Sequence, residues 1–220
     1  MSYSPQEKAA YILPILENEY GEVTTELRYR NPYELVVAVL LSAQCTDERV
    51  NKTTPAFFER FPDFFSLANA TPEEVFPYIR SISYPNSKAE RLVALARAVV
   101  KEYGGELPRE PEILQTLPGI GRKSANVISS VLWGAQVIAV DTHVFRVSRR
   151  IGLAQGNTPE KVEEELQKVI PPSYLGRAHH WLILFGRYHC TARKPKCEQC
   201  KFMKVCNFYM ERQETQRAPS

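Results

Sequence analysis

Apolar residues recur at helical spacing along almost the whole of this 220-residue chain. In the segments 12–16, 92–100 and 162–169, apolar positions lie three and four residues apart, which places them on one face of a helix. The only strand-like run, Val137–Val140, has no partner run of similar length, so we expect a buried connector there. Turns rich in proline and glycine divide the remainder into roughly ten short helices. The sequence therefore predicts an all-α fold.

Composition limits the classes of protein to which the chain can belong. The hydrophobic content of 44% is sufficient for a substantial core. The longest apolar run, Leu35–Leu41, is much shorter than a membrane span, so we expect a soluble, untargeted, intracellular protein. A net charge of +3 is too small to indicate a polyanionic partner. A prediction of nucleic-acid binding therefore has to come from local motifs.

The segment from Leu117 to Ile128 is the most informative motif and reads LPGIGRKSANVI. It resembles a helix-hairpin-helix, because Gly119 and Gly121 permit a tight turn whose backbone N–H groups face outward. The positive end of the following helix would add to this site, which therefore suits a phosphate. The alternative is an ordinary corner between two helices that uses glycine only for steric reasons.

Lys123 follows this turn, in the first turn of the predicted second helix. The helix macrodipole and the neighbouring Arg122 both disfavour an ammonium ion there, and a neutral amine is a nucleophile. Such a lysine could attack the sugar C1′ of a damaged nucleotide, expel the base and hold the sugar as a Schiff base. The alternative is a solvated lysine or one that contacts a phosphate.

Asp141 stands at the junction of the connector and the next helical segment. As an N-cap it would accept backbone N–H bonds, remain ionised and stabilise the helix by about 1 kcal/mol. A fixed carboxylate near Lys123 could also stabilise positive charge on the sugar or help to remove a proton. The two roles are compatible.

We expect His143 to be a packed, hydrogen-bonded histidine, and the adjacent His179 and His180 lack the separation of metal ligands.

Four of the five cysteines lie in one C-terminal stretch with the spacing C-x6-C-x2-C-x5-C, and they are Cys190, Cys197, Cys200 and Cys206. Zinc and an iron–sulfur cluster both accept four thiolates. Basic residues alternate with these cysteines and could either contact phosphate or form a solvated loop: Arg193, Lys194, Lys196, Lys201 and Lys204. Cys45 is apart from the others and is expected to be a small buried hydrophobe.

The hairpin with Lys123, the connector ending in Asp141 and the cysteine loop follow one another in an order that resembles the bacterial endonuclease III family. Further matching segments occur along nearly the whole chain: 31–35, 41–44, 46–47, 50–52, 86–90 and 179–184. The resemblance implies a two-lobed fold with DNA across the cleft. One lobe would be a six-helix domain at residues 25–135, and the other, formed by residues 1–24 and 136–220, would bind a [4Fe–4S] cluster through the four cysteines.

The same resemblance implies the activity. The family removes oxidised pyrimidines from damaged double-stranded DNA by flipping the nucleotide out of the duplex, and Gln44 matches the residue that fills the vacated space. Lys123 would be the Schiff-base nucleophile and Asp141 its carboxylate partner, with strand cleavage by β-elimination. Gly119, Gly121, Arg122, Arg193 and Lys194 would contact DNA. A monomer without membrane association, acting in the cytoplasm at the bacterial nucleoid, is expected.

One segment departs from the family pattern. After Ile82 the family usually has glycine followed by an apolar wedge, whereas this chain has Ser83 and Tyr84 before Pro85. Tyr84 could stack between bases, and it could equally be a packing tyrosine.

Two rival functions share parts of the pattern. An adenine glycosylase acting opposite oxidised guanine lacks the nucleophilic lysine and uses a glutamate before the glutamine, yet Val36–Leu41 contains no acid. A catalytically silent DNA-binding or redox-sensing protein would keep the fold and the cluster. The presence of both Lys123 and Asp141 disfavours it.

Overall fold

A computed structural model describes residues 3–217 of the chain. Within that range there is no β-strand, and the all-α prediction is confirmed. The described α-helices are α1 Pro5–Tyr20, α2 Pro32–Ser42, α3 Asp47–Arg60, α4 Phe64–Ala68, α5 Pro72–Ile79, α6 Pro85–Tyr103, α7 Pro111–Leu114, α8 Arg122–Trp133, α9 Thr142–Ile151, α10 Pro159–Val169, α11 Leu175–Tyr188 and α12 Asn207–Arg217. Short 3₁₀ helices occur at Pro172–Tyr174 and Cys197–Gln199. More helices are described than the roughly ten expected, because α4 and α7 are too short to show an apolar period.

The chain divides into two compact units. Residues 25–133 form the first, which we call the central unit, and residues 1–24 with 134–220 form the second, the terminal unit. No described helix is both long and apolar enough to cross a membrane.

Helix α2 is the core of the central unit. Every residue from Tyr33 to Leu41 is buried, and the helix packs against α3, α6 and α8. A helix that is apolar on all sides is stable only when it is enclosed in this way. Asn31 begins it, because its side chain accepts a 2.9 Å hydrogen bond from Glu34 N. The loop that follows α2, residues 43–46, therefore starts from a rigid element.

Contacts between the two ends of the chain hold the terminal unit together. The buried Trp181 on α11 donates from Nε1 to the carbonyl oxygen of Gly21 at 2.9 Å. The buried Lys8 on α1 donates to the carbonyl oxygen of Ile151 at 3.1 Å and to the side chain of Asn207. Helix α1 is thus fixed to the segment that carries the cysteines.

The prediction for the connector agrees with the structure, and the prediction for the C-terminal segment does not. Val137–Val140 forms no strand, and its last three residues are buried, as expected for a connector. The polar composition from about Glu211 to Ser220 predicts that the chain frays there, and this prediction was wrong for residues 211–217, which continue α12 to Arg217. The rest of that expected segment, residues 218–220, lies outside the described residues.

Candidate active-site residues and the cysteine cluster site

The hairpin turn lies between α7 and α8 and requires glycine at one position. Gly119 has φ +79°, and a Cβ atom there would come within 2.9 Å of Leu40 Cδ1 and 3.2 Å of Arg91 Cβ. Leu117 and Ile120, on either side of it, are buried in the core of the central unit. The turn is therefore fixed by both backbone conformation and packing.

Neither backbone conformation nor packing requires glycine at position 121. Its φ is not positive, and a Cβ atom there would meet nothing within 4 Å. Its carbonyl accepts from Ala125 N at 2.9 Å, so it begins α8 as the N-cap residue. The space in front of this exposed helix N-terminus is open, and an anion can approach the backbone closely there.

Lys123 is the second residue of α8, and its side chain is exposed, as is that of Arg122. The opposite face of the helix is anchored by the buried Ala125 and Ile128. The backbone of Lys123 is consequently rigid while its amine is accessible. This is the arrangement that a nucleophile requires to reach a macromolecular substrate.

Asp141 is the N-cap of α9, as predicted. Its Oδ1 atom accepts hydrogen bonds from His143 N and Val144 N, both at 2.8 Å. The cap uses one carboxylate oxygen, and the residue is half-buried. Hydrogen bonds of this kind fix the direction of the carboxylate.

His143 and His179 have the packed, hydrogen-bonded positions expected of structural histidines. Burial lowers the pKa of His143, whose Nδ1 lies 3.2 Å from Arg146 Nη2. His179 is buried, and its Nδ1 lies 2.7 Å from the carbonyl oxygen of Ala139, to which it donates. His179 thus fixes the connector two residues before Asp141. No local pattern predicts that role, because Ala139 and His179 lie 40 positions apart in the chain.

Gln44 and Tyr84 lie on neighbouring loops of the central unit. They are the two non-glycine residues with positive φ among residues 3–217, at 54° and 56°, and both are exposed. Ser83 Oγ donates to the carbonyl oxygen of Gln44 at 2.8 Å and so connects the loops. Tyr84 is 65% exposed, which excludes the packing role that was the alternative for this residue.

The four clustered cysteines line one cavity, together with the buried Phe202. Among the described residues, no set of three or more His, Cys, Asp or Glu side chains converges on the position of one metal ion, so the thiols surround a cavity rather than a point. Burial raises the pKa of Cys200 to about 11 and also raises that of Cys206. Ligation of a cationic cluster would overcome this preference for the neutral thiol.

N–H donors surround the sulfur atoms. Arg150 Nη1 lies 3.5 Å from Cys190 Sγ, and Arg212 Nη1 lies 3.6 Å from Cys197 Sγ. The backbone N of Phe202 donates to a third sulfur, Cys200 Sγ, at 3.4 Å. Hydrogen bonds to thiolate sulfur are typical of iron–sulfur sites. Four thiols around one cavity, with N–H donors directed at their sulfur atoms, therefore fit an iron–sulfur cluster.

The basic residues of the cysteine loop are exposed, but one of them, Lys201, pairs with an acidic residue and is not simply solvated. Arg193 and Lys194 lie in a bend that Arg150 supports by donating to the carbonyl oxygens of Thr191 at 2.7 Å and Ala192 at 2.8 Å. Lys201 forms an ion pair with Glu19 at 3.0 Å and is therefore partly neutralised. Cys45, apart from the loop, is half-buried against the core of the central unit.

Two family models match this chain, and both describe DNA repair proteins of the same kind. Residues 37–172 match the model of the HhH-GPD superfamily of base excision DNA repair proteins. Residues 190–206 match the iron-sulfur binding domain of endonuclease III, and these bounds begin at the first clustered cysteine and end at the last. A [4Fe–4S] cluster is therefore the cofactor of this chain, and the zinc alternative is rejected.

Relatives and solved structures cover nearly the whole chain. The chain is 47% identical to endonuclease III of Rickettsia felis over 90% of its own length and 93% of the relative's. It is 43% identical to that of Escherichia coli K12, over 91% and 95%. A structure described as a non-covalent endonuclease III–DNA complex matches with a TM-score of 0.88 and 40% identity, over 95% of this chain and 98% of the other. The chain therefore belongs to the endonuclease III family, within the HhH-GPD superfamily of base excision DNA repair proteins.

Proposed function

We propose that the chain excises oxidised pyrimidines from duplex DNA and cleaves the resulting abasic site, with Lys123 as the nucleophile. Membership of the endonuclease III family makes it a DNA glycosylase and abasic-site lyase. The observation that carries the residue assignment is the exposed amine of Lys123 one residue beyond the start of α8, at an open hairpin turn. A phosphate bound at that turn would place the adjoining sugar within reach of the amine.

The proposed reaction begins when the neutral amine of Lys123 attacks C1′. The C–N bond forms as the glycosidic bond breaks, and the electron pair of that bond leaves with the base, which takes up a proton. The ammonium formed on Lys123 then loses a proton, and the ring oxygen takes up a proton as the sugar opens to a Schiff base. Loss of a C2′ proton forms the C2′–C3′ double bond while the C3′–O bond breaks and the 3′ phosphate leaves with its electron pair. The carboxylate of Asp141, fixed by its two cap bonds, stabilises the developing positive charge and accepts a proton.

The [4Fe–4S] cluster, when bound, supplies an organising centre for the loop 190–206. Arg193 and Lys194 are exposed on that loop, and we assign them to contacts with DNA phosphates. Two solved endonuclease III structures that resemble this chain are complexes with DNA, one of them a trapped covalent intermediate. Damaged double-stranded DNA is accordingly the proposed partner, bound by a monomer in the cytoplasm at the nucleoid.

The adenine glycosylase alternative receives no support from α2. Its acidic residue, Glu34, is buried, accepts from Arg30 N at 2.7 Å and forms an ion pair with the Arg30 guanidinium at 2.6 Å. That carboxylate stabilises the start of the helix and does not face a substrate. The silent DNA-binding alternative is disfavoured by the accessible amine of Lys123.

One experiment separates these functions. The holoprotein is incubated with duplexes that contain thymine glycol, an abasic site, or adenine opposite 8-oxoguanine, with borohydride present. We expect a covalent protein–DNA adduct with the first two duplexes. Release of adenine without an adduct would indicate the adenine glycosylase, and binding without any product would indicate the silent protein.

A further inference from the structure

The C-terminal end of α2 is capped by a lysine from another helix. The last turn of α2 contains no basic residue, and Ala43 stands at its C-cap in place of glycine. Lys88, on α6, is only 3% exposed, and its Nζ donates to the carbonyl oxygens of Leu41 at 2.7 Å and Ala43 at 2.6 Å. A buried ammonium ion requires such partners, and the negative end of a helix stabilises a cation.

The same lysine contacts both of the loops that carry positive-φ residues. Its side chain binds the carbonyl of Ala43, immediately before Gln44, and its backbone N–H donates to the carbonyl of Tyr84 at 3.1 Å, the ordinary first backbone bond of α6. The side chain thus acts directly on the Gln44 loop and reaches the Tyr84 loop through Ser83. Ser83 adds the direct bond to Gln44. Gln44 and Tyr84 each adopt a left-handed conformation that is strained for residues with a side chain. Such conformations persist where the surrounding structure enforces them, and they concentrate at functional sites.

We propose that Lys88, together with Ser83, is a positioning residue that holds Gln44 and Tyr84 as a preformed pair of loop tips for insertion into the duplex. The inference rests on the proposed function, because it needs a nucleotide to be flipped out of the stack. The exposed ring of Tyr84 stacks on the bases beside the gap, and Gln44 enters the gap itself. Because both tips are already ordered, insertion avoids the entropy cost of arranging them.

A purely structural role for Lys88 predicts a different pattern of losses. If Lys88 only stabilised the central unit, its removal would weaken reaction with every DNA substrate to the same degree. If it positions the inserting tips, the loss depends on whether the nucleotide must be extruded. An abasic site in a single strand needs no extrusion, so Lys123 can react with it without the loop tips.

The test compares Lys88→Met with Ser83→Ala and a matched control, Lys101→Met, which removes an exposed lysine from the same helix. Each holoprotein is assayed on a duplex with thymine glycol and, by borohydride trapping, on a single strand with an abasic site. We expect kcat/KM on the duplex to fall roughly 10- to 100-fold in Lys88→Met, the scale of a misplaced group. Ser83→Ala should show a smaller loss of the same kind, and trapping on the single strand should be unchanged in all three variants.

The outcomes distinguish this inference from the proposed function. Unchanged duplex activity in folded Lys88→Met, or equal losses on both DNAs, would overturn the positioning role. If Lys88→Met does not fold, Ser83→Ala decides, because it removes only the bond between the loops, and full duplex activity in it would overturn the proposal. Failure of the unmodified protein to form an adduct with either DNA would contradict the proposed function instead.

Discussion

Replacing Asp141 with asparagine separates two roles that the structure combines in one side chain. The cap of α9 uses Oδ1, which accepts from His143 N and Val144 N at 2.8 Å. An asparagine oxygen can accept both bonds and is as good an N-cap as aspartate. Asp141→Asn therefore removes the negative charge and preserves the hydrogen bonds.

The substitution should change the free energy of unfolding severalfold less than it changes the activation free energy of base release. Loss of the charge at the helix N-terminus costs about 0.3–1 kcal/mol, which corresponds to a fall in Tm of at most about 4 °C for a chain of this length. Loss of a positioned acid–base group slows the chemical step by about 10²- to 10⁴-fold, equivalent to about 2.7–5.4 kcal/mol. Asp141→Ala serves as the comparison, because it loses the charge and the cap, which is worth about 1 kcal/mol more.

Two measurements are needed on the same preparations. Thermal unfolding of the holoprotein reports stability, and single-turnover release of thymine glycol reports the chemical step. We expect base release to be slowed to a similar degree in Asp141→Asn and Asp141→Ala, while the melting temperature falls clearly only in the alanine variant.

The opposite pattern would refute the reasoning. If Asp141→Asn melts several degrees lower and releases base at the rate of the unmodified protein, Asp141 is a helix cap with no part in the reaction. If the alanine variant alone is slow, the cap geometry matters and the charge does not.

Four further predictions follow from other features. Lys123→Gln should bind damaged duplex in a gel-shift assay and form no borohydride-trapped adduct; a trapped adduct would place the nucleophile elsewhere. Gly119→Ala should lower the free energy of unfolding by about 2 kcal/mol, because of its positive φ and the 2.9 Å contact, whereas Gly121→Ala should be nearly neutral in the same urea titration. DNA affinity should fall steeply and linearly in a plot of log K against log salt, and a flat plot would exclude phosphate contacts. Burial lowers the pKa of His180 below its ordinary value of 6.5, so the unfolded chain binds the proton more readily and stability should decline as pH falls below that value. His180→Gln should reduce this decline between about pH 7 and pH 5.

The parts of the site that the sequence predicted are those set by local chemistry. The hairpin, the cap at Asp141 and the four-cysteine loop each depend on residues within a few positions of one another, so their spacing alone carries the information. The sequence predicts that both glycines are needed for the tight turn. The structure requires glycine only at Gly119, because a side chain at Gly121 would meet open space.

The parts that the sequence did not predict depend on contacts between distant residues. Lys88 lies 47 positions from Leu41 along the chain, and nothing in its neighbourhood in the sequence marks it as a helix cap. The polar composition from about Glu211 predicts a frayed end, yet α12 packs against α9, and the guanidinium of Arg150 on α9 lies over the ring of Phe208, 4.5 Å from the ring centroid. Long-range packing thus overrode the local tendency of the segment.

The terminal unit is built from both ends of the chain, and this affects how the protein is made. A ribosome releases α1 first, but the partners of Lys8 and of Gly21, at Ile151 and Trp181, are synthesised more than a hundred residues later. The central unit is continuous, so it can fold while α1 still has nothing to pack against. Nascent α1 therefore exposes its apolar face for most of translation, and the cluster can be inserted only after the last cysteine has emerged.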